Sequence, residues 1–308
     1  MNTYRCIRCS GQLNAHDGRY ECASCRAGYP VVDGIPQLIA EQPATAGDRK
    51  TASFFGDLFG SFDEWMHYLD QDTKKNGLRT MFAANGIDLS EVLSSKEKVL
   101  EAGCGYGRYT YELLKEGGPD GKQREITCLD LSQENLVMNR RMTRTLFPDS
   151  RNEYVRGSVT AIPLPDRFCD LCICTGVIHH IDDYWKGLDE VVRVIQPGGT
   201  LIFAVMGSRG LFLKLFWLWR LMNQCIPYAF AKKVLSGMRI SDQSRRYILD
   251  AGWAAHYHQV GFKKLRSYFL AKGATQVAFL EIYRKMYGYS PLNVWFRGEG
   301  FMHMLVRF

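Results

Sequence analysis

The chain has 308 residues, 46% hydrophobic and 23% charged, the balance of an ordinary folded protein with room for one large domain and an appendage. No apolar run reaches the roughly 18–20 residues that cross a bilayer, and the opening MNTYRCIRCS lacks an apolar signal core, so no transmembrane segment and a cytoplasmic location are expected. The net charge of +7 is uneven: residues 201–308 hold 16 Lys and Arg against 4 Asp and Glu, a surplus of +12 that suits phosphates, an anionic lipid surface or an acidic substrate, or else forms a solvated face.

Residues 1–40 come first, rich in cysteine and glycine. Cys6-x-x-Cys9 is followed, twelve residues on, by Cys22-x-x-Cys25, and Asp17-Gly18 between them is a hairpin signal. Paired CxxC turns of this spacing in a cytosolic chain place four thiolates around a structural Zn²⁺, which supplies the stability that so small a module lacks. Protein fills all four ligand positions, so the metal has no catalytic role. The other six cysteines read as small buried hydrophobes. Residues 41–52 are a polar linker.

From residue 53 onward strand-like and helix-like segments alternate. Strands are predicted at 98–101, 125–130, 153–156, 170–175 and 200–205, with helices at 108–116, 132–146 and 184–195 and a turn at Pro197-Gly198-Gly199. This order implies an α/β fold, a parallel sheet with helices on both faces, whose ligands bind at the carboxyl ends of the strands. Two further strands are predicted at 263–270 and 301–308, the last antiparallel. Residues 53–308 are thus read as one domain, with insertions at about 207–250 and 271–300.

The first predicted strand ends in Glu101 and opens into Gly103-Cys104-Gly105-Tyr106-Gly107. Glycines let a chain turn sharply and approach a ligand without a Cβ clash, and the acid suits a ligand carrying an ammonium group. Asp130 closes the second strand, where a carboxylate accepts from ribose hydroxyls. A nicotinamide dinucleotide fits less well, because its fingerprint places a glycine where Arg108 stands.

The segments VLEAGCGYGRYT (99–110), CLDLSQENL (128–136), GSVTAIPLPDRFCDLCICTGVIHHIDD (157–183) and RVIQPGGTLIFAV (193–205) together resemble the class I S-adenosylmethionine-dependent methyltransferases, most closely the small-molecule branch. The resemblance implies a Rossmann-like seven-stranded sheet with C-terminal lid insertions. It implies that Glu101 holds the amino end of the methionine moiety, that Gly103, Cys104, Gly105 and Gly107 shape its floor, and that Asp130 binds the ribose. Leu131 packs on the adenine, and Ser158 and Val159 lie beside it. Ser158 departs from the family, which often has Asp there. Residues 1–40, with their tail YPVVDGIP, resemble the small Trm112-like zinc ribbons, which implies a structural zinc at Cys6, Cys9, Cys22 and Cys25.

His179 and His180 follow the fourth predicted strand at the mouth of the expected site and are the candidate catalytic bases, with simple packing as the bland alternative. His256 and His258 fall in LDAGWAAHYHQVGF, read as a helix ending at Gly261. A spacing of two keeps them off a common helix face, so both read as packing or surface residues. Residues 211–230, dense in Leu, Phe and Trp, read as a lid helix, a membrane-surface helix or a subunit contact. The expected activity is methyl transfer to a small-molecule or lipid- or glycan-linked acceptor. Its rivals are an RNA base methyltransferase, favoured by the basic C-terminal third, and a non-catalytic partner protein.

Overall fold

The computed structural model describes residues 4–39, 53–54, 66, 69, 73, 77–223, 225–240, 242–281, 295–296 and 298–308. Four short strands, β1 (Leu13–His16), β2 (Arg19–Cys22), β3 (Gly28–Val32) and β4 (Ile35–Leu38), form an antiparallel meander around the cysteine turns. Asp17-Gly18 makes the first hairpin, with Gly18 at φ +69°. Two short helices, α1 (Leu78–Ala83) and α2 (Leu89–Leu93), lead into the main sheet.

The alternating segments then build β5 (Lys98–Ala102), α3 (Arg108–Glu116), β6 (Glu125–Asp130), α4 (Gln133–Leu146), β7 (Glu153–Gly157), β8 (Cys169–Thr175), α5 (Tyr184–Arg193) and β9 (Ile195–Met206). Helix starts sit where short polar side chains can cap them: the Ser132 hydroxyl accepts from Asn135 N at 3.2 Å, and Asp183 Oδ1 accepts from Lys186 N at 3.0 Å. The sheet runs β1-β2-β3-β4-β7-β6-β5-β8-β9-β11-β10, so its last seven strands make a seven-stranded sheet, as expected. β11 (Phe301–Arg307) is antiparallel to both β9 and β10 (Gln276–Leu280). The chain leaves β5 toward β6 and β7, then crosses back to β8 and β9. The switch point, where an open α/β sheet leaves a crevice for ligand, therefore lies at the carboxyl ends of β5 and β8. Burial on both faces explains the apolar run Leu171–Cys174 of β8, and the buried Asp170 before it accepts from Glu97 N at 2.9 Å and Lys98 N at 3.1 Å.

Three predicted elements differ from the structure. Residues 263–270 form a helix, α9 (Phe262–Ala271), and the sixth strand is β10. Phe262, Leu265 and Phe269 recur at helical spacing, and Leu265 and Phe269 are fully buried. The helix expected to end at Gly261 stops earlier, as α8 (Asp242–Trp253). Residues 254–261 instead cross the strand ends, held by His258 N donating to His179 O at 2.8 Å and Val260 N to Met206 O at 3.2 Å. The turn at residues 197–199 is absorbed into β9, where pairing jumps from Cys169↔Ile195 to Leu171↔Thr200, a bulge that gives Gly198 its φ of +78°.

The ribbon is part of the sheet. β4 pairs in parallel with β7 through Gln37↔Arg156 and Leu38↔Gly157. The Tyr4 hydroxyl donates to Glu153 at 3.1 Å, Arg5 N donates to Pro163 O at 2.9 Å, and Tyr4, Leu13, Tyr29 and Leu38 share one apolar core with Leu100, Leu129 and Val155. The linker at residues 41–52, and most of the aromatic stretch before β11, lie outside the described residues. Two helices of the insertion after β9, α6 (Leu211–Asn223) and α7 (Tyr228–Ser236), pack with α8.

Candidate active site and metal centre

Of the two acids expected at the cofactor site, Asp130 ends β6 and Glu101 is the penultimate residue of β5. Glu101 is 2% exposed, and its carboxylate accepts a hydrogen bond from the Thr110 hydroxyl, which in turn accepts from Asn139 Nδ2 at 3.1 Å. Burial pushes the Glu101 carboxyl up to about 8, against the pull of Thr110. Asp130 is also raised by burial, while main-chain donors oppose the shift. Its Oδ2 accepts from Gly105 N at 2.8 Å, and its Oδ1 from Ser132 N at 2.8 Å and Asn135 Nδ2 at 3.3 Å. A carboxylate has about four acceptor sites, so Asp130 ties down the glycine loop and keeps capacity for one more donor.

The three loop glycines are required for different reasons. Gly103, Gly105 and Gly107 have φ of +78°, +51° and +85°, a region that L side chains rarely adopt. A Cβ on Gly103 would stand 2.2 Å from Val177 Cγ2, and one on Gly107 2.3 Å from Asn139 Oδ1. A Cβ on Gly105 would meet nothing within 4 Å. The first and third glycines are therefore closed by packing, and the middle one borders open space beside the two acids. Cys104 is buried, and Leu131 is half-buried beside Asp130. At the next strand end, the Ser158 hydroxyl lies 2.8 Å from the Thr160 hydroxyl and accepts from Thr160 N at 3.2 Å, and Val159 is buried. Ser158 thus caps its own turn.

Beyond β8 the chain passes Val177, the residue against Gly103, and turns through Ile178–His180. The two histidine rings are 3.9 Å apart between centroids, and both are buried. Both are held below the ordinary imidazole value, chiefly by burial, His179 well below it. His180 has a partner on each nitrogen: Nδ1 lies 3.1 Å from His256 O, and Nε2 3.4 Å from Asp250 Oδ1. His179 Nδ1 is buried with no hydrogen-bond partner among the described residues. Its ring meets Tyr257 edge-on at 5.5 Å and Phe301 at 5.8 Å. His256 and His258 do share a side, with parallel rings 6.3 Å apart, because in an extended segment residues two apart point the same way. His258 Nε2 lies 2.9 Å from Ile181 O, so this pair fastens the 254–261 segment over the histidine turn.

In the ribbon, the sulfurs of Cys6, Cys9, Cys22 and Cys25 lie within 4.8 Å of one another. Cys6 and Cys25 are 3.6 Å apart, and Cys9 and Cys22 are 3.5 Å apart. Four thiolates about 2.3 Å from one Zn²⁺ are separated by roughly 3.8 Å, so the donor set fits. The Tyr29 hydroxyl lies 3.1 Å from Cys6 Sγ, the kind of outer contact that orients a ligand. Of the other cysteines, five are buried and Cys225 is exposed.

Seven strands in the order above, a glycine loop after β5, and acids at the carboxyl ends of β5 and β6 are the architecture of the class I methyltransferase fold. The comparisons agree. Residues 100–203 match the family described as "Methyltransferase domain". The chain is 28% identical over 160 residues to the malonyl-[acyl-carrier protein] O-methyltransferase of Pectobacterium atrosepticum, covering 52% of this chain and 54% of that protein. It is 28% identical over 154 residues to the ubiquinone/menaquinone biosynthesis C-methyltransferase UbiE of Pasteurella multocida, covering 50% and 54%. The chain thus spans about half the length of these curated relatives. Among solved structures, the CMeT domain of the citrinin polyketide synthase superposes with a TM-score of 0.50 at 16% identity, over 81% of this chain and 57% of that one, a likeness of fold.

Sequence reasoning missed Thr110, Asn139, Asp250 and Tyr257. Thr110 and Asn139 were within reach: Asn139 is a polar residue on the helix face that buries Leu136 and Met142, which asks for a partner inside. Asp250 and Tyr257 carried no such signal, because only the tertiary fold brings residues 250–258 to the end of β8.

Proposed function

We propose that the protein transfers a methyl group from S-adenosylmethionine to a small, largely apolar acceptor. The observation that carries this is the open space at Gly105, flanked by the buried acid Glu101 and the strand-end acid Asp130, at the switch point of the sheet. When bound, S-adenosylmethionine supplies an electrophilic methyl on a sulfonium. Glu101 would hold its ammonium end, Asp130 a ribose hydroxyl, and Leu131, Ser158 and Val159 the adenine. Ser158 offers no carboxylate to the adenine amino group, so that contact falls to backbone.

The chain's own contribution is alignment, water exclusion and proton removal. The aromatic wall of Tyr257 and Phe301 and the 254–261 segment keep the histidine turn dry. His179, neutral because it is buried, is the base: its Nδ1 has no other partner among the described residues. His180, fixed by Asp250 and the His256 carbonyl, is a positioning residue that braces His179. The relatives' printed names, which concern an acyl-carrier-bound acid and quinones, support an apolar acceptor over RNA. The ribbon, with Zn²⁺ on its four cysteines, would be a structural edge of the sheet.

The test is methyl transfer from labelled S-adenosylmethionine to a panel of quinone, acyl-thioester and RNA acceptors. Label should enter an apolar acceptor, with kcat about 10²-fold or more lower in His179→Ala and a smaller loss in His180→Ala. Transfer to RNA alone would overturn the choice of acceptor. Full turnover in His179→Ala would leave catalysis to alignment.

A further inference from the structure

Surface helices normally turn polar residues to solvent. α6 does the reverse. Leu213, Arg220 and Asn223 face inward, while Phe212, Leu215, Trp217, Leu218, Leu221 and Met222 face out, Met222 at 68% exposure and Trp217 at 51%. The exposed apolar row continues through Ile226, Phe230, Val234 and Met238 along α7 and its flanks, and Phe296 adds a ring 6.0 Å from Phe212. Ten of the fifteen large exposed hydrophobics among the described residues fall within positions 212–238. A patch concentrated in this way marks a contact surface.

Charge says with what. Residues 207–241 contain six Lys and Arg and no Asp or Glu. One of the six, Arg220, is spent inside, donating to Ala251 O at 2.8 Å and to Ala254 O. Lys214, Lys233 and Arg239 are exposed among the apolar side chains. Two copies meeting through this face would bring cations against cations, whereas an anionic bilayer pairs with both the apolar and the basic groups. No helix among the described residues is long and apolar enough to cross a membrane, so the contact would be one of lying on the surface.

We infer that the outer faces of α6 and α7 are a docking surface for anionic lipid. Helix α6 also touches the site: the Phe216 ring, on the inner side of α6, lies 5.3 Å from Tyr257, whose ring meets both His179 and His180 at 5.5 Å. Docking through α6 therefore sets the histidine turn two aromatic rings, Phe216 and Tyr257, beneath the lipid, where an apolar acceptor would enter.

Sedimentation of the full chain with phosphatidylcholine vesicles, with and without phosphatidylglycerol, tests this without cofactor or acceptor, so its failure would leave methyl transfer standing. Binding is expected to the mixed vesicles, to weaken with salt, and to drop about thirtyfold in the double variant Lys214→Ala, Lys233→Ala. The triple variant Trp217→Ser, Leu218→Ser, Met222→Ser should lose binding while keeping its thermal transition. If that triple variant does not fold, the lysine pair decides. The inference is overturned by absent vesicle binding, by binding that both variants retain, by salt-sensitive binding to RNA in place of vesicles, or by a dimer in light scattering that the triple variant splits.

Discussion

Gly107 shows how much one residue can carry. Its φ of +85° and the 2.3 Å approach of Asn139 Oδ1 to a would-be Cβ leave no room for alanine, and Asn139 cannot yield without releasing Thr110, and through it Glu101. Gly107→Ala should destabilise the protein by about 1–3 kcal/mol in denaturant titration and weaken cofactor binding as well. Gly105→Ala, strained but unobstructed, should cost less stability and at least as much binding. The motif showed three glycines, and only the structure shows that they differ. The strand-end acids were legible because position alone gives them their role. The partners that hold them were not, because Thr110 and Asn139 lie 9 and 29 residues from the groups they reach.

At the scale of elements, β11 carries a group with a pH signature. His303 is half-buried and held down to about 3, by desolvation first and then by the Arg108 charge, and its Nδ1 lacks a hydrogen-bond partner among the described residues. A histidine whose folded value is depressed takes up protons more readily when unfolded. Its contribution to stability is therefore complete above about pH 6.5 and is lost as the pH falls from there toward 3. By pH 5 the loss is about 2 kcal/mol for this group alone, with His179 and His180 acting in the same direction. His303→Leu should flatten the acid limb of a stability–pH curve measured by urea unfolding, and an unchanged limb would assign it to other groups. The elements read well from sequence where period and length agreed, as in α3, whose limits match the expected 108–116, and β8, a run too short for a buried helix. The reading failed at residues 263–270, where Lys263, Lys264 and Arg266 interrupt the apolar spacing, and at 254–261, whose extended path is set by backbone bonds to His179 and Met206.

At the scale of the molecule, a ribbon that looked like a tethered module is the edge of the sheet. The four-cysteine cluster was plain in the CxxC spacing. The docking was not, because β4–β7 pairing rests on main-chain bonds and on contacts such as Tyr4–Glu153 that no local pattern announces. A metal on the four cysteines, as proposed, should therefore be felt beyond the first forty residues. A chelator, or Cys22→Ser, should lower the melting temperature of the whole chain by roughly 5 °C or more and speed hydrogen exchange in β7. Exchange changes confined to β1–β3 would mean that β4 holds the edge without metal.

The buried acid near the end of β5 is the group on which cofactor binding should turn. At pH 7 a carboxyl raised to about 8 is mostly protonated, and a ligand ammonium placed against it would pull that value down. Calorimetric titration of the chain with S-adenosylhomocysteine at pH 7, in two buffers of different ionisation enthalpy, should show binding with net proton release, between about half a proton and one. Glu101→Gln should abolish the release and weaken affinity about 10- to 100-fold. No binding by the folded protein, or equally tight binding by Glu101→Gln with no proton released by either form, would contradict that role.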